Sequence, residues 1–177
     1  MKTRILLLIA FLGFAFTMQA QKFAYVDTKY ILENIPEYQS AQNTLDELSM
    51  EWQSELEVKF KEIDSLYKAF QSEAFLLPED AKIKRQDEII AKEKEAKSLQ
   101  KKYFGTDGDL TKKRQELLKP IQDKVFNAIE ELAESGAYAV IFDKSGSVSM
   151  IYTNPKYDKS DEVLEMLGLS PGGVSNE

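Results

Sequence analysis

PEYQSAQNTLDELSMEWQSELEVKFKEIDSLYKAFQSEAFLLP, residues 36–78, is the stretch whose reading decides the fold. Apolar side chains stand at Tyr38, Ala41, Leu45, Leu48, Trp52, Leu56, Phe60, Ile63, Tyr67, Phe70 and Ala74. These eleven positions advance 36 residues in ten steps, a mean of 3.6. That is the period of a straight α-helix rather than the 3.5 of a heptad seam. No Gly or Pro interrupts the run between Glu37 and Leu77, so the spacing predicts one long helix with a single apolar stripe. At about 1.5 Å per residue, some forty residues reach about 60 Å. A small globular body cannot bury such a rod. The rod must project, and something must cover its stripe.

Pro78 supplies the cover. Proline suits a first helical turn, and Glu79 and Asp80 place negative charge where the helix dipole favours it. Leu76-Leu77 therefore reads as a hairpin tip from which a second helix returns. Its stripe is weaker: Ile83, Ile89, Ile90, Ala96, Leu99 and Tyr103. Gly105-Thr106-Asp107-Gly108 breaks it, and a further helix runs through Leu117, Ile121, Val125, Ala128 and Leu132. Pro120 lies inside that helix and should kink it. The two glycines and Pro120 are expected to be points of flexibility, and replacing both glycines by Ala to stiffen the return limb. Residues 36–119 are thus an arm, with 21–35 and 120–169 left to form a body.

The body reads as strands. Phe23 and Tyr25 face one way and Ala24 and Val26 the other; Asp27 or Thr28 can cap a short helix through Ile31 and Leu32. Beyond the arm, Gly136 closes the last long helix in the left-handed position, and Ala137–Phe142 is a second strand with Tyr138, Val140 and Phe142 on one face. Asp143-Lys144-Ser145-Gly146 is expected to turn a hairpin into a third strand at Val148–Tyr152. Ser160 caps a final short helix, and 170–177 is small, polar and expected to be disordered. The fold class is α+β: a body of about three strands carrying a long antiparallel helical hairpin.

Residues 1–20 read as a secretory signal peptide, with Lys2 and Arg4 ahead of an apolar run from Ile5 to Phe16 and Ala20 before the cut. The run is too short for the ~20 residues a membrane span needs. The mature chain would begin at Gln21 with 21 basic and 30 acidic residues, a net charge of −9. Such acidity weighs against nucleic-acid binding. With Cys 0, no disulfide framework or lipid-modified cysteine is possible. With His 0 as well, the commonest bases, nucleophiles and soft-metal ligands are missing. The many carboxylates interleave with Lys and Arg as a solvated surface. No catalytic, cofactor or metal site is read anywhere, and the chain is not read as an enzyme.

Apolar surface is a better lead. The return helix is polar between Lys92 and Lys102 and cannot fully cover the wide rings opposite it. Phe75, Leu76 and Leu77 at the tip have no partner in sequence. Exposed apolar groups of this kind mark contact with another molecule. The expected contact surface is Phe60, Tyr67, Phe70, Phe75, Leu76 and Leu77.

The opening Phe23-Ala-Tyr-Val-Asp27 and Ile31-Leu-Glu-Asn-Ile-Pro36-Glu-Tyr38 resemble the start of the Skp/OmpH family of periplasmic chaperones. Arg114-Gln-Glu-Leu-Leu-Lys-Pro120-Ile-Gln-Asp-Lys is similar to that family too, as are Val140-Ile-Phe-Asp-Lys-Ser-Gly146 and Asp158-Lys-Ser-Asp-Glu-Val163. The resemblance implies a jellyfish-like homotrimer whose arms enclose a cavity for unfolded outer-membrane β-barrel proteins, held without ATP in the periplasm. Phe23, Tyr25, Val140 and Phe142 would then make the subunit contacts, since so small a split sheet cannot bury its own faces. The family's best-known members are strongly basic. The acidity of this chain weighs against binding lipopolysaccharide or acidic lipid. The alternative is an envelope adaptor that uses its arms as a spacer. A holdase needs a diffuse apolar stripe along the arms, and an adaptor a compact patch at the tip.

Overall fold

The computed structural model describes residues 21–146 and 150–171. The expected signal peptide, Val148 and Ser149 of the third strand, and the tail from Gly172 lie outside them. The elements run β1 (Lys22–Val26), α1 (Thr28–Glu33), α2 (Pro36–Glu73), α3 (Glu79–Phe104), α4 (Asp109–Gly136), β2 (Tyr138–Asp143), a 3-10 turn at Pro155–Tyr157, and α5 (Ser160–Met166). They form two compact units: Leu32–Lys124, and the described residues up to Ile31 with Val125–Pro171.

The first unit holds the hairpin. Pro36 occupies the first turn of α2, where its missing N–H costs nothing, and Glu37 complements the dipole. The helix runs 38 residues without a break. Its covered face comprises Leu45, Ser49, Trp52, Leu56, Lys59, Ile63, Leu66 and Phe70, each buried or half-buried. These positions advance alternately by four and three. On α3, Ile89, Lys92, Ala96, Leu99 and Tyr103 do the same. That alternation is a heptad repeat of 3.5, so the expected straight-helix stripe is corrected: Phe60 and Tyr67 stand on its flank, exposed.

The two helices pair antiparallel. Ile63, Ile89 and Ala96 form a buried cluster, joined by Leu66 and Phe70. Toward the open end, Trp52 stacks on Tyr103 at 4.6 Å and meets Phe104 edge-on at 6.3 Å. The Tyr103 hydroxyl donates to Glu55 at 2.8 Å. Lys59 binds Glu95 at 2.8 Å and Lys92 binds Glu62 at 2.7 Å across the seam. Exposed pairs of this sort contribute little stability but set register.

The turn from α3 to α4 is closed tightly. Gly105 N–H bonds Lys101 O at 2.9 Å, and Gly108 N–H bonds Gly105 O at 2.8 Å. A Cβ on Gly105 would lie 2.4 Å from Lys101 O; one on Gly108 would lie 2.7 Å from Tyr103 O. The glycines are there for close approach, not for freedom, and alanine cannot replace them without moving backbone. Pro120 lies within the unbroken α4.

The second unit holds the sheet, which among the described residues has two strands. β1 and β2 are parallel, with Phe23 opposite Val140, Tyr25 opposite Phe142 and Val26 opposite Asp143. Parallel neighbours need a crossover, and here residues 27–137 provide it. The expected third strand is not formed at Met150–Tyr152. The far edge of β1 is served by other chain: Lys159 N–H bonds Tyr25 O at 2.9 Å, beside a bridge from Tyr25 to Asp158. Residues 150–152 are thus not needed to satisfy it, and Ile151 and Tyr152 stand exposed.

The core of this unit is small and tight: Val26, Ile31, Val163 and Leu164 are fully buried. Asp27 caps α1 by accepting from Tyr30 N–H at 3.0 Å. Ser160 does not cap α5; Asp158 accepts from its N–H at 3.0 Å. The buried Ser160 hydroxyl instead accepts from Asp27 N–H at 2.8 Å and donates to Asp158 at 2.6 Å, pinning α5 to the end of β1. Beyond α4 it is Ala137, not Gly136, that takes positive φ, at 51°. Gly136 instead leaves room for the Tyr138 ring, which would lie 2.2 Å from an added Cβ.

Asp143 ties the ends of both strands to α1. Its carboxylate accepts from Thr28 N–H at 3.2 Å and Thr28 Oγ1 at 2.8 Å, and from the N–H and hydroxyl of Ser145. Burial pushes its pKa up, but the bonds from Thr28 and Ser145 outweigh that and hold it below the ordinary 3.8. A lowered folded pKa stabilises above the unfolded value and ceases to as pH falls through the folded one. Asp143→Asn is therefore expected to destabilise the protein more at pH 7 than at pH 3, as read from paired thermal melts. An equal loss at both would mean the charge contributes nothing.

Candidate functional site

Among the described residues no cluster of His, Cys, Asp and Glu could hold a metal ion, and no helix is long and apolar enough to cross a membrane. The features that call for a partner are apolar, and they fall in two places.

On the hairpin, Phe75 is 80% and Leu76 72% exposed at the tip, where the chain turns between the α2 terminus and Pro78. No facing helix exists beyond a tip to cover them. Leu77 is half-buried beside them. Phe60 and Tyr67 are 40% and 41% exposed on the α2 flank. Phe70 differs: it packs on the Ile63–Ile89–Ala96 cluster and belongs mainly to the seam. The six expected contact residues are therefore not one patch. Two are at the tip, two on the flank, and Leu77 and Phe70 are partly withdrawn.

Sequence reasoning missed Phe104, and it placed Ile83 and Ile90 on the apolar stripe of the return helix. Ile83 and Ile90 are half-exposed, and Phe104 lines a groove of about 480 Å³ with Leu56 and Phe60. A second groove of about 350 Å³ is lined by Tyr67, Phe70, Ile89 and Ile90. The spacing 83, 90, 97, 104 is a heptad step, which would have grouped three of these side chains on one line. The cross-seam ions are held charged by one another. Hydrogen bonding to Glu95 holds Lys59 above the usual lysine range, and Lys59 in turn holds Glu95 below the carboxylate range.

On the body, Phe23, Val140 and Phe142 are exposed along the strands, while Tyr25 is buried within the chain. A cavity of about 740 Å³ opens beside them, lined by Phe23, Tyr25, Tyr138, Phe142, Tyr152 and Tyr157 together with Lys22 and Lys156. So dense a set of aromatic residues on a two-stranded sheet leaves apolar surface facing water. Three of the four expected subunit-contact residues stand on that surface, and Tyr25 serves the core.

Residues 22–167 match the profile of the family described as Outer membrane protein (OmpH-like). A protein of Aquifex aeolicus (strain VF5), described only as uncharacterized, is 31% identical over 167 residues, which cover 94% of this chain and 96% of that one. In fold, the chain is similar to a crystal structure from Caulobacter crescentus CB15 named as a candidate outer membrane chaperone (OmpH-like). The TM-score is 0.66 at 14% identity, covering 89% of this chain and 88% of the other.

Proposed function

Because the chain belongs to the OmpH-like family of outer membrane proteins, we propose that it is a chaperone that binds unfolded outer-membrane β-barrel proteins and keeps them from aggregating. It does so without ATP, by many weak apolar contacts from the hairpin. The observation that carries this reading is the dispersal of exposed apolar groups along α2 and α3, at Phe60, Tyr67, Ile83 and Ile90, as well as at the tip. Each buries a modest area on contact, at roughly 25 cal/mol per Å². No single contact dominates, so a client is held without being forced into one conformation.

The chain acts as a homotrimer in the periplasm, reached by way of the signal peptide. Support for self-association comes from Phe23, Val140 and Phe142, which are exposed on a sheet too small to bury both faces. Light scattering is expected to return three times the monomer mass at micromolar concentration; a monomer would overturn this part.

Holding is tested by diluting a urea-unfolded outer-membrane barrel protein into buffer with and without this protein and following turbidity. The parent is expected to suppress aggregation. Phe60, Tyr67, Phe75 and Leu76 changed together to Ser should weaken protection severalfold, with α-helix content unchanged because none of the four lies in the seam. Full protection by that variant would mean that these four side chains do not hold the client. The compact tip pair favours the adaptor reading, in which a fixed partner docks at Phe75 and Leu76. In that case the tip pair alone would abolish partner binding, and turbidity would not respond to the parent.

A further inference from the structure

The zip of the hairpin stops short of its tip. Carried past Phe70, the alternate steps of three and four reach Glu73 and Leu77 on α2. Carried back from Ile89, they reach Arg85 and Lys82 on α3. Three of these four seam positions are charged. Lys59 and Lys92 also stand in the seam, but each reaches across it to a carboxylate of the other helix. Toward the tip that reach is lost: Lys82 pairs with Glu79 and Arg85 with Glu88, both along α3 itself. Among the described residues, Glu62–Lys92 is the last bond that crosses from α2 to α3 before the tip. Apolar packing ends at the same level. No residue between Ile63 and Ile89 is buried, and Glu73 and Arg85 are exposed although they stand at seam positions.

We infer that residues 74–88 form a clasp, which parts from α2 while residues 89–103 stay zipped to it. The first ten residues of α3, 79–88, are fewer than the ~12–15 that an isolated helix needs to be even marginal in water. With no buried side chain and no bond across, little opposes their opening, and segments of that kind open locally without the rest. Polar residues at seam positions cost a helix pair stability, and here they are concentrated at one end. What opening exposes gives the clasp its use, which rests on the chaperone reading above. The half-buried Leu66, Phe70 and Leu77 come free, and Gln86 leaves the groove that it lines with Phe70 and Ile89. An apolar stretch of unfolded polypeptide then takes the place of the departed helix end, between the two helices. Because such a stretch binds the open form alone, it draws the clasp open by mass action.

The test has two readouts on the full chain: amide exchange, and turbidity of a urea-unfolded outer-membrane barrel protein diluted into its presence. In the parent, amides of residues 79–88 are expected to exchange at least a hundredfold faster than those of 92–103. Equal rates would overturn the clasp. Glu73→Leu, Lys82→Leu and Arg85→Leu together extend the apolar seam to the tip. That variant is expected to slow exchange at 79–88 at least tenfold and to cut protection at least threefold. Were apolar area alone at work, three added leucines would raise protection instead. A disulfide between Glu73→Cys and Lys82→Cys, in a chain with Cys 0, closes the clasp without adding apolar surface. It should lower protection likewise, and reduction should restore it. Protection undiminished in both closed variants, with their amides slowed, would overturn the role of opening in holding. Absence of protection by the parent would overturn the chaperone reading and that role together, while the exchange rates decide the opening by themselves.

Discussion

Leu164→Ala is expected to cost about 3 kcal/mol, within the 2–5 kcal/mol typical of buried large-to-small changes. Leu164 is fully buried on α5, together with Val163, Val26 and Ile31. These four are the largest fully buried side chains described, so the lost methyl groups would leave a hole in the most deeply buried part of the core. The neighbours are also held in place by polar bonds, Ser160 to Asp27 and Asp158, and Asp143 to Thr28. A rigid surround leaves most of the cavity unfilled. Against a total stability of roughly 5–15 kcal/mol, the loss is large. Circular dichroism melts should show the transition falling by many degrees. Met166→Ala, on the exposed side of the same helix, should shift it little. Equal effects from the two would mean that α5 does not close the core.

Gly105→Ala with Gly108→Ala is expected to unravel the α3–α4 turn rather than stiffen it. Ordinarily glycine to alanine in a helical stretch stabilises by up to about 1 kcal/mol. Here the new methyls would meet backbone: Lys101 O in one case; Tyr103 O, Gly105 N and Gly105 O in the other. Side chains can swing aside; carbonyls bonded into a turn cannot. The bonds from Gly108 to Gly105 and from Lys112 to Gly108 should open. The expected result is faster amide exchange across residues 103–112 and a loss of roughly 1–3 kcal/mol, in line with other forced backbone strain. Slower exchange would restore the view of this turn as a loose joint that alanine firms up.

Much of this fold was legible because helices announce themselves locally. Pro36, the uninterrupted run to Leu77, Pro78 and the paired glycines mark the ends of α2 and α3 within a few residues. The phase of the seam was harder to read. Over ten steps, periods of 3.5 and 3.6 differ by one residue, and the aromatic rings drew the count toward Phe60 and Tyr67. The true seam includes Ser49 and Lys59, whose polarity hides them; the Lys59 stem lies along the seam while its ammonium reaches Glu95. The strand partners were harder still. Alternation at residues 22–26 and 138–143 shows that strands exist, but not which edges meet. Turn residues after Asp143 suggested a local hairpin. In the fold the Asp143 carboxylate is taken by Thr28 and Ser145 instead. As for the contact surface, exposure at Phe75 and Leu76 follows from the tip itself, whereas the line Ile83, Ile90, Phe104 needed the correct phase.

The parallel pairing of β1 with β2 also governs the order in which this molecule can fold. Phe23 and Val140 are neighbours in space yet 117 residues apart in sequence, and a closure of that length is slow because its entropy is lost before any contact repays it. α2 and α3 face no such delay, since their contacts close within one hairpin. They should therefore form first and shorten the effective loop, leaving the sheet to assemble late although its first strand is the first made. Refolding followed by the fluorescence of Trp52, the one tryptophan, stacked on Tyr103, should accordingly finish before the slower phase in which the amides of residues 23–26 become protected.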